Sequence, residues 1–395
     1  MFVSSQRAES CLASGRVNRL GAFFSETLTR ARRIRLVCGC VVLFCFVQAC
    51  SIFTDAEDER VVYVADGSVG ARLSRYGGIL WEVKGQVRAP DGEGHLTLVR
   101  DFGTGDLIWL HTDGVRSGRG VGWRAERLDD RLQRKLVRQD SAILAGAPWA
   151  RPNSFLAAPS TLTADGRFLG VSAVSWPHDT TVSGVMILSA GDLRYLGFVP
   201  GKFDDPSIIP APDPCCLLAQ GNLAGGPDKL YRLNVRSLAI DDSFDVNPAP
   251  LLLVGPRLGQ VLMVSSGAVS IYDLNLRAVV RSGSLPFHGG VVVDTTRGWI
   301  FVGEVGQLDD PGAGRVVALD TATLREVWSM VAVPGETQQM VWGIATGQGG
   351  KYLYVTSAAP PIRGLDDGEL FVIDIDRRVI VSRRRLDRTG AVLSP

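Results

Sequence analysis

Short apolar and β-branched runs, separated by polar turns, recur from about residue 60 to the end of the chain. In residues 315–328 an apolar run is followed by a turn containing Asp320 and then by a second run ending at Trp328. Alternating apolar positions bounded by Gly, Asp and Asn are typical of β-strands. The same order is clear at 269–280 and 370–380 and weaker at 71–83, 125–137, 185–196 and 230–240. The pattern therefore predicts an all-β domain.

A further strand precedes most copies, as at 297–302 and 350–355, and an apolar segment precedes that strand in turn. The turn residues lie 39 to 60 positions apart. Four strands repeated in series predict a seven-bladed β-propeller of four-stranded antiparallel blades over residues 60–395. The alternative, a pair of β-sandwiches, would not explain the constant order of the strands. The predicted turn residues are Ser74, Asp129, Ser189, Asn234, Asp273, Asp320 and Asp374.

The first repeat lacks an innermost strand. Its predicted strands lie at about 60–65, 69–74 and 78–84, with no apolar segment of the right kind before them. The run Gly390-Ala391-Val392-Leu393 at the end of the chain is predicted to complete this blade. Such closure removes an exposed sheet edge that would otherwise promote aggregation.

Composition narrows the class of protein further. The chain has 395 residues and is 46% hydrophobic, which excludes a disordered protein. With 42 basic against 41 acidic residues, its net charge of +1 gives no reason to expect a nucleic-acid partner.

Residues 1–49 differ from the rest and are predicted to be an N-terminal extension and an export signal that is removed. They carry seven arginines against two glutamates. The cluster Arg30-Ala31-Arg32-Arg33-Ile34-Arg35 precedes an uncharged stretch at 36–49, the order of a signal peptide. The stretch is shorter than the roughly 20 apolar residues of a spanning helix.

The signal ends in Val47-Gln48-Ala49-Cys50, which resembles the bacterial lipobox. The resemblance implies that Cys50 is diacylated and becomes the first residue of a lipoprotein, with palmitate-type chains holding it on the membrane. Residues 50–59 would be a polar tether. Because Ser51 rather than Asp follows the cysteine, the resemblance implies the outer membrane of the cell envelope, facing the periplasm. The alternative is an ordinary signal peptide or a short membrane helix in which Cys50 is a small apolar residue.

The repeats also resemble known propeller families. The repeat of YVTN-type propellers, which are related to WD40 proteins, resembles two segments of blade-like sequence near the end of the chain. These are Gly343-Ile344-Ala345 and Gly350-Lys351-Tyr352-Leu353-Tyr354-Val355. The segments 77–83 and 105–109 look like quinoprotein repeats, in which a Trp packs between blades. These resemblances imply the architecture and leave the function open, because propellers include enzymes, scaffolds and binding modules.

Polar residues before predicted innermost strands are candidate ligand-binding groups. Such positions open onto the central channel of a propeller, where ligands bind. The alternative is that they are solvated loop residues. The candidates are His288, Gln338, Gln339, Asp204 and Asp205.

The adjacent cysteines Cys215 and Cys216 fall on a predicted strand. In an oxidising compartment they could form a vicinal disulfide, which in quinoprotein dehydrogenases lies against the cofactor. Because no calcium-ligand set of those enzymes is found in the sequence, an inert disulfide or buried free thiols are the favoured interpretations.

No catalytic constellation is recognised in the sequence. There is no Gly-x-Ser-x-Gly motif and no zinc-ligand spacing, and no metal or cofactor site is identified. We therefore predict a membrane-anchored envelope protein whose propeller is a non-catalytic platform for a protein partner or a small ligand at one face. The alternative is a metal-dependent lactonase or hydrolase with an ion in the channel, held by residues such as Asp204, Asp294 and Glu304.

Overall fold

The structure is a computed structural model that describes residues 61–393 apart from short internal segments. The described residues belong to one compact unit, Glu57–Pro395. Residues 1–60, which include the predicted signal, Cys50 and the tether, lie outside them. The internal segments left undescribed are 67–71, 79–80, 90–94, 102, 116–120, 140–153, 176–182, 202–206, 222–227, 247–250, 266, 286–287, 305–313, 333–339, 359–367 and 387–389.

The described residues form seven four-stranded antiparallel sheets, so the predicted seven-bladed β-propeller is confirmed. From the innermost strand outwards, blade 1 is β28 (Gly390–Leu393), β1 (Val61–Asp66), β2 (Arg72–Gly77) and β3 (Glu82–Arg88). Blade 2 is β4 (His95–Arg100), β5 (Leu107–Val115), β6 (Val121–Leu128) and β7 (Arg134–Gln139). Blade 3 is β8 (Ser154–Leu162), β9 (Phe168–Ser175), β10 (Ser183–Ser189) and β11 (Tyr195–Pro200).

The other four blades follow the same order. Blade 4 is β12 (Ile208–Pro210), β13 (Cys216–Gly221), β14 (Lys229–Asn234) and β15 (Ala239–Asp245). Blade 5 is β16 (Leu251–Val254), β17 (Gln260–Ser265), β18 (Ala268–Asp273) and β19 (Ala278–Ser284). Blade 6 is β20 (His288–Asp294), β21 (Trp299–Glu304), β22 (Arg315–Asp320) and β23 (Glu326–Val331). Blade 7 is β24 (Met340–Thr346), β25 (Tyr352–Ala358), β26 (Gly368–Asp374) and β27 (Val379–Leu386).

Helical structure within the described residues is limited to a single 3-10 turn, Gln348–Gly350. No helix in this part of the chain has the length and apolar character needed to cross a membrane.

The ring closes as the sequence predicts. Strand β28, from the end of the chain, pairs antiparallel with β1, so that Leu393 lies opposite Tyr63 and Gly390 opposite Asp66. The last strand of the chain is therefore the innermost strand of the first blade, and it covers the edge of β1 that β2 leaves unpaired.

The hydrophobic core lies between the blades. Seven clusters of buried residues each combine two neighbouring blades, and together they run once around the ring. Between blades 7 and 1, for example, the ring of Trp81 packs edge-on against Tyr352 and Tyr354 at centroid distances of 5.4 and 5.2 Å. Edge-to-face contacts of this kind add to the free energy gained by burying the rings.

In five of the seven blades the turn from the third to the fourth strand begins with an Asp or Asn whose Oδ1 accepts backbone hydrogen bonds. In blade 5 the Oδ1 atom of Asp273 accepts hydrogen bonds from the backbone N–H groups of Asn275 and Leu276 at 2.9 and 3.1 Å. This carboxylate stabilises the turn locally, which explains the recurring Asp and Asn in the repeat. In every blade the last or second-last residue of this turn is left-handed, and it is Trp81, Leu132, Leu193, Leu238, Arg277, Leu324 or Arg378.

The turn residue predicted for blade 1 is wrong. Ser74 lies inside β2, is fully buried, and pairs with Val64 and Gln86. The turn lies four residues later, where the left-handed residues Gly78 and Trp81 reverse the chain in place of an Asp-based turn. Blade 1 has no Asp or Asn near this point, so the pattern gave no signal for the position.

The two ends of the ring differ. We call turn face the end that carries the short connections from first to second and from third to fourth strands, and loop face the opposite end. Among the described residues, the turn face consists of 78, 81, 101, 103–106, 129–133, 163–167, 190–194, 211–215, 235–238, 255–259, 274–277, 295–298, 321–325, 347–351 and 375–378. Most connections of the loop face lie outside the described residues.

Candidate functional site: a groove between blades 4 and 5

Of the predicted channel-mouth residues, the structure describes only the backbone of His288. His288 is the first residue of β20, the innermost strand of blade 6, and its side chain is outside the described part of the chain. Gln338, Gln339, Asp204 and Asp205 precede the innermost strands β24 and β12 and also lie outside the described residues. The ligand site predicted for these residues stays a prediction, as does the lipidation of Cys50.

Two of the carboxylates considered for a channel ion, Asp294 and Glu304, do not converge, and the third, Asp204, lies outside the described residues. Asp294 ends β20 at the turn face, where its Oδ1 accepts hydrogen bonds from the backbone of Thr296 and Arg297. Glu304 ends β21 at the loop face and lies 3.3 Å from Arg315. Since β20 and β21 are antiparallel, about six residues at roughly 3.3 Å each separate the two carboxylates along the blade. Within the described residues no group of three or more His, Cys, Asp or Glu side chains could hold a metal ion.

The cysteine pair lies at the turn face of blade 4. The structure joins Cys215 and Cys216 by a disulfide bond. Only Cys216 is in a strand, as the first residue of β13, and Cys215 ends the preceding turn, so the prediction that both are in a strand is wrong. The reason is the Pro212-Asp213-Pro214 sequence, which holds the chain in a turn as far as Cys215. Cys216 is fully buried, and both residues pack into the core between blades 4 and 5.

A groove opens beside this turn, between blades 4 and 5 on the turn face. It consists of two adjoining cavities of about 480 and 410 Å³. Both volumes are in the range of ligand-binding pockets. The two cavities share the residues Ala211, Pro212, Leu218, Leu258, Gly259 and Leu274.

The outer cavity has charged walls over an aromatic floor. Arg232 lies 2.9 Å from Asp213, and Arg277 lies 2.7 Å from Asp242. The guanidinium of Arg277 also lies over the ring of Phe244, 5.0 Å from its centroid. These ion pairs are partly exposed, so an incoming carboxylate, phosphate or amine can compete for either partner.

The inner cavity is mainly apolar. Its walls include Pro210, Val254 and Pro256, together with the shared Leu258. Leu258 is 88% exposed, the largest exposed fraction of any large apolar side chain in the described residues. The groove as a whole therefore combines an apolar half with a half that holds two guanidinium and two carboxylate groups.

The core beneath the groove is well packed. Phe244 and Tyr272 meet edge-on at a centroid distance of 6.3 Å, and both belong to the cluster between blades 4 and 5. Burial raises the pKa of Tyr272 above its ordinary value, although the charge of Arg277 acts in the opposite direction. The phenol therefore stays protonated at neutral pH, and the floor of the groove is uncharged there.

Sequence reasoning did not identify this site. Its residues come from five turns and six strands that only the closed ring brings together, so no local spacing marks them. The available signals were the proline-rich turn at 210–214 and the unusual Gly255-Pro256-Arg257-Leu258-Gly259 segment, which places a leucine where a polar turn residue is expected.

Comparisons with known proteins support the fold. No protein-family model matches the chain, and no curated protein sequence matches it. Among solved structures, the periplasmic gluconolactonase PpgL of Pseudomonas aeruginosa is 16% identical, with a TM-score of 0.56 over 84% of this chain and 98% of that one. The dihydro-heme d1 dehydrogenase NirN is 14% identical, with a TM-score of 0.52 over 85% of this chain and 75% of that one.

A third similar structure is apo AztD from Citrobacter koseri. It is 13% identical to this chain, with a TM-score of 0.50 over 84% of this chain and 97% of that one. All three identities are low, so the likeness extends to the propeller fold alone.

Proposed function

We propose that the chain is a lipid-anchored protein of the bacterial envelope whose propeller binds a partner or ligand without catalysing a reaction. The observation that carries the binding role is the groove between blades 4 and 5, which joins an apolar cavity to a charged one. The anchor is supported by the basic and apolar segments that lead to Cys50.

The closed propeller suits such a role because it holds the groove walls rigidly. Blades 4 and 5 meet through a cluster of buried residues that includes Leu230, Leu252, Met263 and Tyr272. The walls are therefore fixed before a ligand arrives, which lowers the entropy lost on binding. The groove residues on blade 5, Leu258, Asn275 and Arg277, lie in turns that the ligand can reach from solvent.

The anchor is tested by intact mass and membrane fractionation of the protein expressed in a Gram-negative host. We expect a diacylated chain beginning at residue 50, and we expect the Cys50→Ala variant to be unprocessed or released from the membrane. A wild-type chain that is cleaved elsewhere and carries no acyl group would contradict the anchor.

The binding role is tested by photo-crosslinking in intact cells. A photoreactive amino acid replaces Asn275, which is exposed and lines the groove, and in a matched control it replaces Ala322, at the corresponding turn position of blade 6. We expect a product of defined mass at position 275 that Arg277→Glu weakens, and none at 322. Equal products at both positions would contradict a specific groove.

A metal-dependent lactonase is the second candidate function, and the observation that favours it is the fold shared with the gluconolactonase PpgL. It is tested by incubating the purified protein with sugar lactones and divalent cations. Hydrolysis that requires the cation would contradict a non-catalytic role, whereas binding without turnover would support the platform.

A further inference from the structure

Two leucines protrude from the turn face of blade 5. Leu258 is 88% exposed and Leu276 is 68% exposed, and no other large apolar side chain in the described residues exceeds the 52% of Val331. Single exposed leucines are common on protein surfaces, but two neighbouring leucines with most of their surface exposed form an apolar patch, which favours an interaction site.

The two leucines are neighbours in space as well as in exposure. Leu258 is in the turn between β16 and β17, and Leu276 is in the turn between β18 and β19. The backbone N–H of Leu274 donates to the carbonyl oxygen of Gly259 at 2.9 Å and ties the two turns together. Each turn is also closed by its own hydrogen bonds. Asp273 accepts from the N–H groups of Asn275 and Leu276, and the N–H of Gln260 donates to the carbonyl oxygen of Arg257.

Basic side chains flank both leucines. Arg257 precedes Leu258 and Arg277 follows Leu276, and both arginines are exposed. The nearest groove carboxylates are already engaged, Asp242 by Arg277 and Asp213 by Arg232. Arg257 has no carboxylate within 4 Å among the described residues, so its charge is available to an external anion.

The expected membrane anchor approaches the ring on this same face. Val61, the first residue of β1, pairs with Gly77, which ends β2 directly before the turn of blade 1. Val61 therefore lies at the turn face. Ten residues separate it from Cys50, and ten residues span at most about 36 Å. The chain that leads from Cys50 therefore enters the propeller at the turn face, which is the face nearest to the anchor along the chain.

We infer that the turn face of blade 5 docks on a lipid bilayer, with Leu258 and Leu276 inserted at the boundary between headgroups and acyl chains and Arg257 and Arg277 against lipid phosphates. This inference rests on the proposed function in placing the anchor at Cys50. Apolar tips flanked by basic groups match the two layers of a membrane interface. The groove between blades 4 and 5 then opens toward the lipid, so its ligand is a membrane component or is presented at the membrane.

The experiment measures how deeply each face reaches into lipid. The full-length protein, as processed by a Gram-negative host, carries an environment-sensitive fluorophore on Leu276→Cys or, as a control, on Val331→Cys, which ends β23 at the loop face. Each protein is placed in vesicles of phosphatidylethanolamine and phosphatidylglycerol with or without brominated lipid. Labelling of the unsubstituted protein gives the background from its own cysteines.

We expect quenching by brominated lipid at position 276 to exceed that at 331 several-fold. A second change, Leu258→Ser, is expected to lower quenching at 276 at least about twofold, whereas Val331→Ser leaves it unchanged. Because Leu258 is almost fully exposed, its replacement does not disturb the fold, and circular dichroism checks this.

The outcomes separate this inference from the anchor itself. An acylated protein with equal quenching at 276 and 331 would overturn docking and leave the anchor intact. A protein without acyl chains that still shows stronger quenching at 276 would support docking and contradict the anchor. Protection of position 276 by a crosslinked protein, without quenching by lipid, would also overturn docking and identify the face as a protein interface.

Discussion

Arg127 in blade 2 and Arg232 in blade 4 occupy the same place in the repeat and have different surroundings. Each is in the third strand of its blade, beside the irregularity that precedes the turn, and each lies opposite the second strand at an equivalent position, Ile108 or Leu218. The Arg127 guanidinium donates to Asp106 at 2.7 Å and to Asp101 at 2.9 Å.

Arg127 also bridges two blades. Its Nη1 donates to the carbonyl oxygen of Ala190 in blade 3 at 2.7 Å, so the junction between blades 2 and 3 is closed by charged groups. In blade 4 the positions of Asp101 and Asp106 are taken by Ala211 and Cys216, as the matching backbone hydrogen bonds show. Arg232 instead pairs with the exposed Asp213, and the groove opens beside it.

The difference shows how a repeat gains a site. The two arginines have the same backbone position, so the carboxylates around them decide whether the junction is closed or open. Two buried Asp side chains draw Arg127 inward, and its side chain is 10% exposed, against 35% for Arg232. The loss of both carboxylates in blade 4 leaves the arginine at the surface, where it can meet a ligand.

The largest expected effect comes from removing Arg127. Arg127→Ala leaves Asp101 and Asp106 buried without their shared partner, and breaking a buried pair in this way costs about 3–5 kcal/mol of unfolding free energy. The matched change Arg232→Ala removes a partly exposed pair worth about 0–1 kcal/mol. Urea unfolding of both variants measures the difference, and equal losses would contradict the comparison.

A smaller effect is expected when Asp106, a carboxylate of the same network, is protonated or replaced. Burial raises the pKa of Asp106, but the hydrogen bonds from Lys135 and Arg127 outweigh it, so the pKa is lower than its ordinary value. The stability that this carboxylate contributes is therefore full above about pH 4, the unfolded value, and is lost as pH falls through the folded value.

Asp106→Asn tests this dependence. The change weakens charged hydrogen bonds worth about 1.5–3 kcal/mol at neutral pH, and the loss of stability between pH 5 and pH 2 becomes shallower. The slope does not vanish, because hydrogen bonds from His111 and Arg134 overcome the effect of burial and also lower the pKa of Glu126. Melting temperatures over this pH range give the measurement. An unchanged acid slope would show that Asp106 does not titrate as described.

The sequence was sufficient for the architecture because the turns carry their own chemistry. Asp273, Asp320 and Asp374 each bind backbone N–H groups of their turns, so the residue that repeats in the sequence is the residue that forms the turn. Closure by residues 390–393 was predictable from a missing strand in blade 1 and an extra one at the end. The turn predicted at Ser74 was wrong because the turn of blade 1 is made by Gly78 and Trp81.

The groove could not be predicted in the same way. Arg232 lacks a buried carboxylate because Ala211 and Cys216 stand at the positions of Asp101 and Asp106. These residues are 21 and 16 positions from Arg232 in the sequence, and only the register of β13 and β14 shows that they lie near it. In the sequence, Leu218 and Phe244 have the pattern of ordinary core residues, and nothing marks them as part of a groove. Junctions between blades combine positions from two repeats, so alternation within one repeat does not indicate whether a junction is open.

A small effect is also expected at Cys216, the counterpart of Asp106. The disulfide joins adjacent residues, so it closes a very small ring, and the chain-entropy relation assigns such a ring only about 1 kcal/mol. Reducing it with a dithiol is therefore expected to change the stability far less than Arg127→Ala does. Urea unfolding with and without reductant measures this, and the Cys215→Ser/Cys216→Ala variant, which should not respond to reductant, is the control. A loss as large as that of Arg127→Ala would mean that the disulfide, rather than the packing of blades 4 and 5, holds this junction together.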